Sequence, residues 1–198
     1  QALKPTTNSF PYDFGGQNFS GLQYPDILFN AQSKAKSAGL SYSDFGEWSY
    51  KAGNYFYAGG MSLAPGALPP AGSNISATYD GSYIEAHSEG QIAGIPVTQG
   101  SDAGSIQIRA NFGPRTVTAD FTSGLLQGEV TAVSGTVASN GGYTVSASNY
   151  SVGGNVTANL TGGFFGPSGA GQTPPETAGT FTGNYGTASL NGAYGAKR

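Results

Sequence analysis

The chain has no cysteine in its 198 residues. That absence excludes disulfides, thiolate-held metals and a cysteine nucleophile. It has a single histidine, too few nitrogen donors for zinc, which takes several nitrogen or sulfur ligands. Charge is scarce: Asp, Glu, Lys and Arg make up 10% and the formal net charge is −3. A sequence-independent grip on nucleic acid or anionic lipid requires clustered Lys and Arg, so neither partner is expected. No apolar run approaches about 18 residues, which removes a membrane-spanning helix from consideration. No Gly-X-Ser-X-Gly elbow surrounds any serine and no Gly-X-X-X-X-Gly-Lys phosphate loop occurs. The pairs Glu85/Glu89 and Asp44/Glu47 supply carboxylates, but general acid–base work also needs a pocket and shifted pKa values. The expectation is a protein without enzymatic activity, with no catalytic residues and no metal site.

What the chain does have is glycine, 33 residues of it, alongside much Ser, Thr, Ala and Asn. In helices this composition would be ruinous, whereas tightly curved β-structure accommodates it. Two stretches near the end alternate small and large residues, Gly179, Phe181, Gly183, Tyr185 and then Ala188, Leu190, Gly192, Tyr194. Period-two alternation puts each set on one face of a ribbon, and small-large alternation suits the tapering interior of a small barrel. A hairpin that ends the chain needs a partner for its outer edge, and the first strand of the same domain is the nearest one. Eight strands are read at about Ile75–His87, Ser105–Phe112, Val117–Phe121, Leu126–Val137, Tyr143–Tyr150, Val156–Phe164, Gly179–Tyr185 and Ala188–Ala196. Turn signals such as Gly113-Pro114 and Asn140-Gly141-Gly142 separate them. A slip of apolar parity between Leu126 and Val137 predicts a bulge in the fourth strand. Outward positions rich in Thr, Ser, Asn and Asp disfavour a lipid-facing barrel.

Met61 to Ser73, with Pro65, Gly66, Pro69, Pro70 and Gly72, is the clearest break in the chain. It divides a tether and handle, residues 1–72, from a barrel, residues 73–198. Gln1 to Asn8 reads as an unstructured tether. A start at Gln1 without Met fits a processed or trimmed form, and a lipid anchor before Gln1 is compatible with it. Between Asp26 and Gly39 two readings stand: a helix capped by Asp26 and stopped by Gly39, or an Ile27-Leu28-Phe29 strand followed by a polar hairpin. The handle then becomes aromatic, with Tyr42, Phe45, Trp48, Tyr50, Tyr55, Phe56 and Tyr57. Alternation assigns Phe45 and Phe56 to its core and leaves Tyr42, Trp48, Tyr55 and Tyr57 available, as binding surface or as further core. His87 shares a strand face with Tyr79, Tyr83 and Glu85; it is either a rim histidine hydrogen-bonded to a loop carbonyl or an axial ligand of haem iron. Five Asn-X-Ser/Thr sequons, at Asn18, Asn74, Asn149, Asn155 and Asn159, are coincidence in so Asn- and Thr-rich a chain.

The run Gly163-Phe164-Phe165-Gly166-Pro167, then Ala178-Gly179-Thr180-Phe181 and the terminal Gly192-Ala193-Tyr194-Gly195-Ala196-Lys197-Arg198 resemble the C-terminal barrel signature of the transferrin-binding protein B family. The step Leu40-Ser41-Tyr42-Ser43-Asp44-Phe45-Gly46 resembles the handle segment before that barrel. The loop Thr173-Pro174-Pro175-Glu176-Thr177, read as lying outside the strands, departs from the family pattern. The resemblance implies an all-β fold, an eight-stranded antiparallel up-and-down barrel preceded by a small, aromatic-rich handle. It also implies a bacterial outer-membrane-surface or secreted protein that captures haem, iron or another nutrient, or its host carrier. Its partners would be that carrier and a TonB-dependent outer-membrane transporter, with haem the cofactor class in view. Ligand-binding candidates are His87, Tyr42, Trp48, Tyr55, Tyr57 and Tyr83. The alternative is a structural or adhesive component decorating a surface assembly.

Overall fold

The computed structural model of the chain describes residues 5–14, 17–22, 30–50, 53–92, 95–124, 133–148, 156–169 and 171–198. Ahead of the barrel lie strands β1 (Pro5–Phe14), β2 (Gln17–Leu22) and β3 (Asn30–Ser33), a single helical turn α1 (Ala35–Ala38), and strands β4 (Ser43–Tyr50) and β5 (Gly53–Gly60). β1 and β2 form an antiparallel pair, and β3, β4 and β5 a three-stranded sheet. Pro5 to Asn8 therefore belong to a strand and are not an unstructured tether. The Asp26–Gly39 stretch follows neither reading in full: its described part is a strand, then one turn of helix closed by Gly39 at φ 67°. A four-residue helix with no buried residue has nothing to bury against and cannot extend. Asp26 to Phe29 lie outside the described residues.

The remaining strands are β6 (Ser76–His87), β7 (Gly90–Ile92), β8 (Ile95–Val97), β9 (Gly100–Asn111), β10 (Thr116–Phe121), β11 (Val133–Val137), β12 (Gly142–Ser148), β13 (Val156–Phe165), β14 (Glu176–Tyr185) and β15 (Ala188–Lys197). Eight of them close a barrel in the order β10-β11-β12-β13-β14-β15-β6-β9, every neighbour antiparallel. The seam is where alternation placed it: β15 zips to β6 from Leu190↔His87 to Lys197↔Asp80. Closure gives the last strand a hydrogen-bonding partner and removes the edge. The sequence reading missed the short β7–β8 hairpin between β6 and β9, because three-residue strands carry too little period-two signal. The bulge expected in the fourth strand falls on residues 125–132, outside the described residues.

The barrel is filled. Tyr79, Tyr83, Ile106, Ile108, Phe112, Val117, Phe121, Leu160 and Tyr194 are among its fully buried side chains and belong to one continuous core. Register explains how the two terminal strands interlock: Gly179 faces Tyr194, Phe181 faces Gly192 and Gly183 faces Leu190. Each bulky side chain takes the room its partner gives up. A Cβ on Gly179 would lie 2.4 Å from the Tyr194 hydroxyl and 2.4 Å from the Thr161 carbonyl oxygen. Tyr194 donates to Tyr143 (2.8 Å), Tyr143 meets Thr177 Oγ1 (2.6 Å), and Thr177 donates to the Gly163 carbonyl (2.9 Å). Burial accordingly pushes the Tyr143 hydroxyl up to about 12 and Tyr194 well above the ordinary tyrosine range. The three hydroxyls stay neutral and form a satisfied chain across the core.

Replacing Gly179 with Ala is expected to destabilise the protein by about 1–3 kcal/mol, because the new methyl meets backbone as well as ring. Urea unfolding measures this, and an unchanged midpoint would contradict the interlocked packing.

Candidate functional site

The handle sits on the outer wall of β14 and β15, and a buried carboxylate is a principal tie, alongside the Lys197 ammonium donating to the Gly39 carbonyl (3.1 Å). Glu176, only 4% exposed, accepts the backbone N–H groups of Ser41 (2.6 Å), Tyr42 (2.8 Å) and Ser43 (2.7 Å) and the Ser43 hydroxyl (2.9 Å). Successive N–H groups aimed at one anion make an anion-binding concavity, here filled by the protein's own side chain. Glu176 and Thr177 open β14; the loop reading of those two residues is thus corrected, and the strand starts three residues before Gly179. Beside the clamp, Phe45 is fully buried and packs over Gly195, where a Cβ would stand 2.4 Å from the Phe45 ring. Phe45 is core, as alternation assigned it, and Phe56 is half-buried. Sequence inspection missed Glu176. The available signal was a lone carboxylate behind Pro174-Pro175 in a chain poor in charge.

Of the four handle aromatics that alternation left available, Tyr42 and Tyr55 are exposed and Trp48 and Tyr57 are half-buried. Trp48 and Tyr55 are cross-strand partners in β4 and β5, their rings stacked with centroids 4.4 Å apart and 18° between planes. Tyr55 is 45% exposed and Tyr42 37%. Tyr57, half-buried, directs its hydroxyl to Asp44 Oδ2 at 3.4 Å. Asp44 is buried and also accepts from the Ser33 hydroxyl (2.7 Å) and the Ala35 N–H (3.1 Å). Burial raises its pKa, with those hydrogen bonds pulling it back. Asp44 and Glu47 differ in strand parity and so point to opposite faces of β4, which rules them out as a working pair.

His87 and Tyr83 belong to a different place, inside the barrel at the end away from the Glu176 clamp. The β7–β8 hairpin folds back beside this end, with Gln91 N–H donating to Thr187 Oγ1 and Ser88 N–H to the Ser189 carbonyl. Tyr83 is fully buried, edge-on to Phe121 and Phe181, and donates to the Ser123 carbonyl at 3.1 Å. His87 Nδ1 lies 2.9 Å from Glu85 Oε1, so its partner is a carboxylate and not the loop carbonyl of the rim reading. Glu85 is fully buried and its Oε2 has no hydrogen-bond partner. Glu89 is exposed beyond the end of β6, so Glu85 is paired with His87 and not with Glu89. Burial pushes the Glu85 carboxyl upward; the hydrogen bond and charge of His87 pull it back, and Asp102 pushes it up further. The six candidate residues thus fall into two groups, four on the handle and two inside the barrel. Among the described residues no cluster of His, Asp and Glu is arranged to hold a metal ion. No helix among them is long and apolar enough to cross a membrane.

The class defined by these elements is a closed eight-stranded antiparallel barrel carrying a small β-handle on its outer wall. The chain belongs to the family of the C-lobe and N-lobe β-barrels of Tf-binding protein B, whose model matches residues 70–198. Solved structures of the same shape include a double mutant of the vaccine antigen transferrin binding protein B from Haemophilus parasuis Hp5 (19% identity, TM-score 0.57, 80% of this chain and 32% of that one). A single mutant of the same antigen matches at 15% identity and TM-score 0.58, over 90% of this chain and 39% of that one. The isotype 1 transferrin binding protein B from serogroup B Neisseria meningitidis matches at 14% and 0.58, over 89% and 34%. At these identities the likeness is one of fold, and the chain spans about a third of the length of the structures it matches. No curated protein matches the chain.

Glu176→Ala is expected to free the handle from the barrel wall. Three N–H groups lose a charged acceptor at a cost of about 2–3 kcal/mol, and amide exchange at Ser41 to Ser43 should speed up roughly 30- to 150-fold with Ile108 unchanged. Unaltered exchange at those amides would show that the clamp contributes nothing. The second expectation concerns pH. The folded state holds the Glu85 proton more tightly than the unfolded chain, so this group's stabilising contribution is complete below the ordinary glutamate pKa of about 4.3. It is lost as pH rises through the raised folded value. Relative to Glu85→Gln, the wild type should therefore lose stability from about pH 4.3 upward. Urea midpoints across pH 4 to 7 with a constant difference between the two proteins would contradict this.

Proposed function

We propose that this chain is a bacterial outer-membrane-surface or secreted capture protein. It binds haem, iron or another nutrient, or the host protein that carries it, and delivers the cargo to a TonB-dependent outer-membrane transporter. The observation that carries the reading is the handle face: a stacked Trp48–Tyr55 pair with Tyr55 exposed, on a sheet whose leading turn, bearing exposed Tyr42, is clamped by Glu176 to a rigid barrel. Rigid amphipathic aromatics on a preorganised platform are what protein interface hot spots are made of, since little side-chain entropy is lost on binding. The family supports it, because the solved relatives are named for binding transferrin. Tyr57, braced against Asp44, extends the same sheet surface.

The barrel end supplies the haem arm of the reading. A histidine that ligates iron characteristically gives its other ring nitrogen to a carboxylate, which fixes the ring and raises its basicity. His87 and Glu85 have that relation, with Tyr83 on the same strand face. The His87 side chain is 11% exposed and its Nε2 edge lies against Gly100 of β9, so haem would reach it only when those surroundings yield.

Trp48 is the only tryptophan, and its fluorescence reports directly on the handle face. Titration with iron-loaded transferrin, haemoglobin and haemin is expected to quench it saturably with one of them, and Trp48→Ala or Tyr55→Ala, read by calorimetry, should weaken that binding at least tenfold, or about 1.4 kcal/mol. Haemin that binds at the barrel end should give a Soret shift abolished by His87→Ala. Full affinity in both handle variants would remove the handle from the proposed site, and unchanged spectra at stoichiometric haemin would remove haem.

A further inference from the structure

At the barrel end nearer the handle clamp, the proline-rich linker between handle and barrel lies across two hairpin turns and leaves a cleft of about 490 Å³. Leu63, Pro65 and Leu68 of the linker form its apolar side; Arg115, Ser139 and Asn140 of the turns form its polar side. The volume falls within the range of small-molecule sites, ~300–1,000 Å³. Leu68 is buried and continuous with the barrel core, so the apolar wall is anchored to the folded barrel.

Arg115 is the unusual residue here. It stands at φ 59°, the only non-glycine residue with positive φ among those described, in the turn that joins β9 to β10. A long side chain with a Cβ is strained in that region, and such strain persists where the surroundings over-determine it. The surroundings are visible: the Arg115 carbonyl accepts the Val137 N–H at 2.9 Å, tying the strained residue to β11. Its Nη1 is buried without a hydrogen-bond partner. A guanidinium nitrogen removed from water and left unpaired is costly, and an anionic ligand would satisfy it.

The rest of the lining narrows the ligand. No Asp or Glu borders the cleft, so the Arg115 charge is not neutralised from within. Asn140 already spends its Oδ1 on the Gly142 N–H (3.0 Å), which leaves that side chain its amide N–H groups to offer. Arg115 is the sole cation of the lining. One positive charge, neutral donors beside it and an apolar wall opposite match a monoanion with a hydrocarbon body. A phosphate dianion would be left under-compensated on one side and unsolvated on the other.

We propose that this cleft binds a small carboxylic acid with a short apolar chain, its carboxylate on Arg115 and its chain against Leu63, Pro65 and Leu68. The site is separate from the handle face and from the His87 end, so it stands or falls independently of the capture reading.

The test uses the full chain labelled for NMR and titrated with sodium hexanoate. Saturable shifts at Leu63, Leu68, Arg115, Ser139 and Asn140 are expected, with no shift at Trp48 or His87. Two variants separate charge from folding: Arg115→Gln removes the charge, and Arg115→Gly adopts the same backbone dihedral without strain. Both should weaken hexanoate binding at least tenfold, and Arg115→Gly should melt no lower than the wild type. Hexan-1-ol, which keeps the chain and lacks the charge, should bind at least tenfold more weakly. Inorganic phosphate, which keeps the charge and lacks the chain, should do the same. The proposal is overturned if hexanoate gives no saturable shift, if either variant binds as the wild type does, or if phosphate matches hexanoate.

Discussion

Closure of the barrel between β15 and β6 is the constraint on which the other features rest. An antiparallel sheet satisfies its backbone donors and acceptors only against a neighbour, and a terminal strand has none unless the sheet returns on itself. Here the return is made by the last ten-residue strand, from Ala188 to Lys197, paired on one side to β14 and on the other to β6. The inside of this ring admits large residues only where the facing position is small, and Gly179 opposite Tyr194 and Phe181 opposite Gly192 meet that condition. The hydroxyl chain from Tyr194 through Tyr143 and Thr177 to the Gly163 carbonyl then satisfies the polar tips that such large aromatics bring into the core.

The outer wall of the same two strands is where the handle docks. Strand parity alternates inward and outward residues, so Tyr194 and Ala196 fill the barrel while Gly195 between them faces out and admits Phe45. Glu176, one residue before inward-facing Thr177, faces out for the same reason and clamps the turn ahead of β4. A platform fixed at both an apolar and a charged point holds Trp48 and Tyr55 in a defined place. This is the physical content of preorganisation: the position of the exposed ring is set before anything meets it.

The two barrel ends differ in chemistry. At one, Glu85 and His87 face each other with one carboxylate oxygen unpaired; at the other, Arg115 keeps a buried, unpaired nitrogen and lines a cleft with an apolar wall. Both lie at strand ends, where loops of different lengths meet a rigid scaffold. Each holds a buried polar atom that the fold leaves unsatisfied, and such atoms are uncommon in a native interior.

The barrel's strand count, the terminal alternation and the closing pair of strands were legible without coordinates, as was the burial of Phe45. These are local properties: side chains on a strand repeat every two residues wherever the strand ends up. The same alternation singles out Tyr42, Trp48, Tyr55 and Tyr57 on the handle. What alternation could not supply was partnership across the chain. Glu176 meets Ser41 from 135 positions away, and its sequence neighbourhood of prolines reads as loop. Tyr83 and His87 share a strand face, but only the packed barrel decides that the first is sealed beneath Phe121 and Phe181 and the second is turned onto Glu85. The short range of backbone geometry writes the barrel into the sequence. Its closure brings distant polar groups together in low dielectric, and only there do a carboxylate clamp, a buried acid and a strained arginine acquire their roles.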